Sequence, residues 1–405
     1  MRRFLSSLLV AGLLASHAAA QDKPQTVRPE VGKPLQSALD LLKGRKPREA
    51  LARAREAQAV PDKTPYESYL VTRVLGQAAA AAGETAAAAS ALESAAASAA
   101  APEAERSLLL AAAAGQYYAL KEYAKAAALA GRYLERGGTD KSIRTLYVQS
   151  LYLGNNFAAA AREITAGVEA EESAGRTPPE EQLQLLANAY LQLKDTLWYG
   201  RAMEKLVTYY PKREYWLNVL HTLVARPGFN ERLVVDVARL KLETGTMRTA
   251  QEYLDMAQLT LIEGFPAEAV KVIDKGYAAG VLGAGPEAGR HRRLKDLAAK
   301  NLAEDKKNLA QNGKQDAAAK DGKTLFNEGF NYVLLGKTEK GFAMMQQGMR
   351  MGGFTRPDHA KLQLAYAYHL AGQDEKAIQT FKTVQSTDGA AALARLWVIR
   401  LSRSS

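Results

Sequence analysis

The feature that most constrains this chain is a helix–turn–helix grammar that returns along most of its length. It is plainest at Tyr253–Tyr277 (YLDMAQLTLIEGFPAEAVKVIDKGY) and at Leu362–Val384 (LQLAYAYHLAGQDEKAIQTFKTV). A first helix ends near a glycine, Gly264 or Gly372, and a second opens around an alanine, Ala269 or Ala377. A small residue of the first helix, Ala257 or Ala365, precedes that alanine by 12 positions, and a large one, Ile273 or Phe381, follows it by four. Side chains at helical spacing share one face. The small residues therefore mark where two antiparallel helices touch, and the large ones fill the groove to the next pair. A single hairpin cannot bury its apolar face, so copies must stack.

Further copies fit the same frame. Ala38 pairs with Ala50, Gly76 with Ala88, Ala114 with Ala126, and Gly329 with Gly341; Leu151 and Ala160 lead to Ile164, and Ala187 leads to a slot filled by Tyr199. The second-helix markers at 50, 88, 126, 160, 199, 269, 341 and 377 are 34 to 39 residues apart, except for gaps of 70 and 72. Those gaps predict two degenerate hairpins, around Tyr215–Leu242 and Arg293–Gln311. This spacing resembles the tetratricopeptide repeat. The resemblance implies an all-α fold, a right-handed superhelical solenoid of antiparallel helical hairpins. Composition agrees: 47% of residues are hydrophobic but only 7% aromatic, and the alanine that makes up much of the rest favours close helix contact.

Breaks in the pattern divide the chain. Residues 1–20 place Arg2 and Arg3 before an apolar run and end on Ala18-Ala19-Ala20, the order of a secretory signal peptide. Residues 21–33 carry Pro24 and Pro29 and read as a flexible lead-in. An N-terminal array is expected over 34–302, a charged linker or exposed helix over 303–323, and C-terminal repeats with a capping helix over 324–401. In that cap Trp397 and Ile399 should cover the last hairpin. A leader of this type places the mature chain in the periplasm, and no later run is apolar enough for a transmembrane segment.

Little here points to catalysis. The chain has no cysteine, which removes thiolate chemistry and cysteine-based metal sites. The histidines His221, His291, His359 and His369 show no metal-ligand spacing, and phosphate-loop and nucleophile-elbow motifs are missing. No metal and no cofactor is expected. The net charge of +11 is spread among acidic residues. Its densest basic run, Arg290-His291-Arg292-Arg293 with Lys295, reads as a solvated helix start, so nucleic acid is not an expected partner.

The centre of the chain concentrates aromatics at Trp198-Tyr199, Tyr209-Tyr210-Pro211 and Tyr215-Trp216. From about Tyr210 to Leu282 it is similar to periplasmic tetratricopeptide proteins associated with TonB–ExbB–ExbD systems, which implies a role beside outer-membrane uptake. The repeat resemblance also implies a concave groove lined by the first helices. By frame, its exposed positions include Tyr118, Gln149, Tyr152, Gln184, Asn188, Gln192, His221, Gln258, Tyr366 and His369. Such a groove takes a protein or peptide partner. Asn188 matches the asparagine of the family's carboxylate clamp, but Gln184 stands in the lysine place, so capture of a chain terminus is not expected. The function expected is a non-catalytic scaffold or adaptor. The alternative is a cell-envelope enzyme or solute-binding protein on the same frame, which would need a pocket where acidic groups converge.

Overall fold

A computed structural model of the chain describes residues 26–312 and 321–403. The described residues form α-helices joined by short turns, with no strand among them. They divide into two compact units that meet at Glu169/Ala170. The expected leader lies outside the described residues.

In the first unit, α1 (Pro29–Lys43) pairs with α2 (Pro47–Ala59), α3 (Pro65–Ala82) with α4 (Thr85–Ala97), and α5 (Glu103–Ala119) with α6 (Tyr123–Glu135). α7 (Lys141–Leu153) is followed by α8 (Phe157–Ser173), in which the two units meet. Each pair stacks on the next, and the core between them is built largely of alanine with a few leucine, valine and tyrosine side chains. The lead-in expected over 21–33 is corrected from Pro29 onward, where α1 begins. Proline at a helix's first position has its φ preset and loses no hydrogen bond there. Arg28 anchors that start through a salt bridge of 2.9 Å to Glu67, itself half of a capping box with Thr64.

The second unit contains α9 (Glu180–Gln192), α10 (Thr196–Tyr209), α11 (Arg213–Val224), α12 (Val234–Glu243), α13 (Ala250–Ile262) and α14 (Pro266–Ala278). A single long helix, α15 (Ala288–Asn312), follows. Then come α16 (Gly322–Leu334), α17 (Thr338–Met351), α18 (Pro357–Leu370), α19 (Asp374–Phe381) and α20 (Ala390–Leu401). The degenerate hairpin expected at Tyr215–Leu242 is α11 and α12, joined by a longer connection with one 3₁₀ turn at Glu231–Leu233. The one expected at Arg293–Gln311 is instead the unbroken α15. Residues 290–312 hold neither glycine nor proline to end it.

Eight hairpins share one turn. Arg45, Gly83, Lys121, Asn155, Lys194, Gly264, Gly336 and Gly372 each have positive φ, between 56° and 83°. Each stands five residues before a marker, and each marker is the fourth residue of its second helix. The amide after the left-handed residue closes back onto the first helix, for instance Asp195 N to Tyr190 O at 3.0 Å and Phe265 N to Thr260 O at 2.8 Å. This is the glycine-type helix end. At Gly83, Gly264, Gly336 and Gly372 nothing lies near a built Cβ, so φ alone demands the glycine. Ala50, Ala88, Ala126, Ala160, Ala269 and Ala377 are fully buried, as the frame requires. Tyr199 is half-buried, and the next residue, Gly200, packs closely against the Arg226 guanidinium from beyond α11.

The segment 303–323 is helix up to Asn312 and again from Gly322. The chain's two units do not divide there. α16 packs onto the α13–α14 hairpin, where Asn331 Nδ2 donates to Gly264 O at 2.9 Å and Lys271 Nζ to Leu334 O at 3.1 Å. α20 does cap the last hairpin: Trp397 is buried and stacks on Phe381 at 5.6 Å, while Ile399 is only half-buried. α20 also returns to the middle of the unit. Arg395 bonds Glu204 on α10 at 3.1 Å, and Arg400 bonds Glu243 on α12 at 2.9 Å.

Candidate functional site

The expected groove residues separate into three groups. In the first unit Tyr118, Gln149 and Tyr152 are half-buried on α5 and α7. Tyr118 OH donates to Gln149 Oε1 at 3.1 Å, and Tyr152 packs edge-on against Phe157 at 5.2 Å. In the second unit Gln184, Asn188 and Gln192 are exposed along α9, with His221 exposed on α11 and Gln258 on α13. Gln184 Nε2 donates to Tyr215 OH at 2.5 Å, and Tyr215 in turn donates to Glu180, which also holds Lys212 at 2.6 Å. The Lys212 ammonium keeps the Glu180 carboxyl below its ordinary pKa, while burial raises that of Tyr215.

Tyr366 and His369 are corrected: neither faces an open groove. The frame assumed that nothing covers the first helix of the last hairpin, but α20 folds back over α18. Tyr366 is buried, 5.5 Å from the Trp397 ring. His369 Nδ1 sits 2.7 Å from Asp374 and Nε2 3.5 Å from Glu243. Burial works against its charge, but the two carboxylates win and the pKa rises.

The α9–α10 turn carries the most concentrated exposed apolar surface. Leu191, Leu193, Leu197 and Trp198 are each between 41% and 56% exposed. Trp198 stacks on Tyr190 at 5.9 Å, which fixes its ring while leaving one face open. Trp216, in contrast, is core. The expected aromatic centre therefore splits into one structural and one surface tryptophan.

A second feature was not anticipated. Arg239, only 2% exposed, sits in the middle of the second unit. It bonds Glu268 at 2.7 Å and Asp236 at 2.7 Å and approaches Glu263 at 4.0 Å. Its guanidinium faces the rings of Tyr366 at 4.9 Å and Phe330 at 5.5 Å. Burial pushes Asp236 up, against the pull of Arg239. Glu263 is pushed up to about 7 by the packing around it and by Asp236 and Glu268, with Arg239 opposing. The available signal was Asp236 and Arg239, three residues apart among the apolar Val235, Val237 and Leu240, since a buried arginine needs matched carboxylates.

This cluster forms one wall of a cavity of about 400 Å³. Phe265, Phe326 and Phe354 supply apolar surface, and Arg232, Lys323 and Arg356 stand at its rim. The basic run 290–295 forms no single surface: His291 is buried and accepts from Gly283 N at 3.1 Å, and Lys295 pairs with Asp274 at 2.8 Å. Among the described residues no group of three acidic or histidine side chains is placed to hold a metal ion, and no helix is long and apolar enough to cross a membrane.

No family model matches the chain, and no curated protein does. Solved structures similar to it include the TPR2AB domain of yeast Sti1 in complex with an Hsp90 peptide, at 17% identity and a TM-score of 0.33 over 66% of this chain and 98% of that one. Yeast Tom70 aligns at 12% identity and a TM-score of 0.26 over 92% and 96%. A tetratricopeptide repeat protein from Parabacteroides merdae aligns at 12% and 0.22 over 91% and 98%. Scores this low carry no weight for function; the tetratricopeptide-like, all-α architecture rests on the eight equivalent hairpins described above.

Proposed function

We propose that the chain is a non-catalytic protein-binding scaffold whose contact surface lies on α9 and α10. The observation that carries this is the exposed Leu191–Leu193–Leu197–Trp198 patch beside the amide row Gln184, Asn188 and Gln192. A fixed aromatic with one open face is a common interface anchor, and neighbouring amides can bond a partner's backbone with little desolvation cost. The polar groups that could serve chemistry are instead committed to packing: His369 to Asp374 and Glu243, His359 to Asp388, and Arg239 to Glu268.

The leader pattern at residues 1–20 supports a periplasmic site of action. The Tyr210–Leu282 resemblance supports a place beside a TonB–ExbB–ExbD system. The test is photo-crosslinking in cells from Trp198→p-benzoylphenylalanine, with the same replacement at exposed Arg48 on α2 as control. A discrete adduct from position 198, lost in Asn188→Ala/Gln192→Ala, is expected. Identical adducts from both positions would refute the α9–α10 surface.

A further inference from the structure

We infer that the Arg239 cavity is a binding site for a small organic anion, an apolar or aromatic body carrying one carboxylate-like group. This goes beyond partner binding and does not depend on it. Two observations converge. First, the cavity of about 400 Å³ has the size of a small-molecule site and is walled by the rings of Phe265, Phe326 and Phe354.

Second, the charge around it is unbalanced. Arg232, Lys323 and Arg356 are exposed at its rim and have no carboxylate partner among the described residues. The acids at the cavity are already spoken for: Asp236 and Glu268 are consumed by Arg239, and Glu263 leans on the same guanidinium. Counted with Arg239, the rim residues set four cations against the three carboxylates Asp236, Glu263 and Glu268, a balance that favours an anion. A rigid guanidinium also suits a planar carboxylate.

The geometry thus separates two ends, aromatic rings for the body and Arg356 and Lys323 for the anionic group. A cavity of this size closed by helices on several sides suits a small molecule better than an extended chain.

The test uses the full chain and 8-anilinonaphthalene-1-sulfonate, an aromatic anion whose emission reports apolar burial. One saturable site is expected, displaced by 3-phenylpropionate and not by 3-phenylpropan-1-ol. Charge-assisted hydrogen bonds are the stronger kind, so Lys323→Gln/Arg356→Gln should weaken probe binding about tenfold or more. Both side chains are exposed, and unchanged circular-dichroism melting would show that the variant folds. Lys43→Gln/Arg48→Gln on the first unit removes the same net charge and should leave binding unchanged. Absence of a saturable site, equal displacement by the alcohol, or equal weakening by both double variants would overturn the assignment. Loss of the α9–α10 crosslink in the earlier test would leave it untouched.

Discussion

Gly341→Ala should destabilise the second unit, although alanine is the better helix former. α16 and α17 cross through four glycines that meet backbone to backbone. A Cβ at Gly341 would lie 2.6 Å from Gly329 O, 2.6 Å from Val333 Cγ2 and 2.9 Å from Val333 N. One at Gly329 would lie 2.7 Å from Gly341 O, and one at Gly348 2.5 Å from Gly322 O. Ordinary contact begins near 3.4 Å, so the helices must move apart by most of an ångström, and the opposing atoms are largely backbone that cannot turn aside. Overpacking of this kind costs about 1–3 kcal/mol. The helix-propensity gain of alanine over glycine is about 1 kcal/mol. Because backbone is involved, the cost should fall at the upper end, leaving a net loss of about 1–2 kcal/mol. The assay is urea unfolding followed by tryptophan emission, because Trp198, Trp216 and Trp397 all lie in the second unit. With a urea slope of about 3 kcal/mol per molar, the midpoint should fall by roughly 0.5 M. Gly131→Ala in α6 is the contrast. Its Cβ would stop 3.4 Å from the Tyr147 ring, an ordinary contact, so the propensity gain should survive and the first unit, which holds no tryptophan and is followed by circular dichroism, should gain up to about 1 kcal/mol. A Gly341→Ala midpoint at or above that of the unchanged chain would refute the close-crossing account.

Three further outcomes follow from the same geometry. Arg239→Met should cost about 3–5 kcal/mol at neutral pH by leaving Asp236 and Glu268 buried without a counter-charge, and the deficit in urea unfolding should shrink as pH is lowered, because burial already pushes the Asp236 carboxyl toward its neutral form. Lys194→Gly should raise the stability of the second unit in urea unfolding by about 0.5–1 kcal/mol, since lysine is strained at its φ of 57°; no gain would mean that the turn tolerates a side chain freely. Glu263, facing Arg239, Asp236 and Glu268, is pushed up to about 7 in the folded chain, so its contribution is present below the unfolded pKa and is lost as pH rises through about 7. With over a third of its side chain exposed, that contribution is about 1 kcal/mol after solvent screening. Glu263→Gln should flatten the fall in stability between pH 5 and 8 by that amount, as read from paired unfolding curves.

Much of the fold could be read from residue order because each repeat is specified locally. A residue able to take positive φ, a small residue five positions on and a matching small residue 12 before it determine one hairpin, whatever surrounds it. Non-glycine turns at Arg45, Lys121, Asn155 and Lys194 hid that rule: the strain of a left-handed lysine is small enough for the surrounding hairpin to impose. The long α15 was misread as a hairpin because marker spacing counts residues and says nothing about a missing breaker. The candidate site was less legible. Trp198 and Trp216 are 18 positions apart and alike in context, yet one is open and one is core. Which is which depends on the helix packed opposite.

What the amino-acid order determined by itself is thus the unit of construction: its length, its crossing points and the face it buries, all set by contacts within about 40 residues. Only the tertiary structure decided what became of the faces left over. It brought α20 back across some 190 residues to bond Glu204, turned Tyr366 and His369 from surface into interior, and gathered Asp236 and Arg239 of α12, Glu263 at the end of α13 and Glu268 of α14 into one cluster beside a cavity. Those contacts join residues with no shared period, so no repeating pattern encodes them. They exist because a charge removed from water must find its partner wherever in the chain that partner lies.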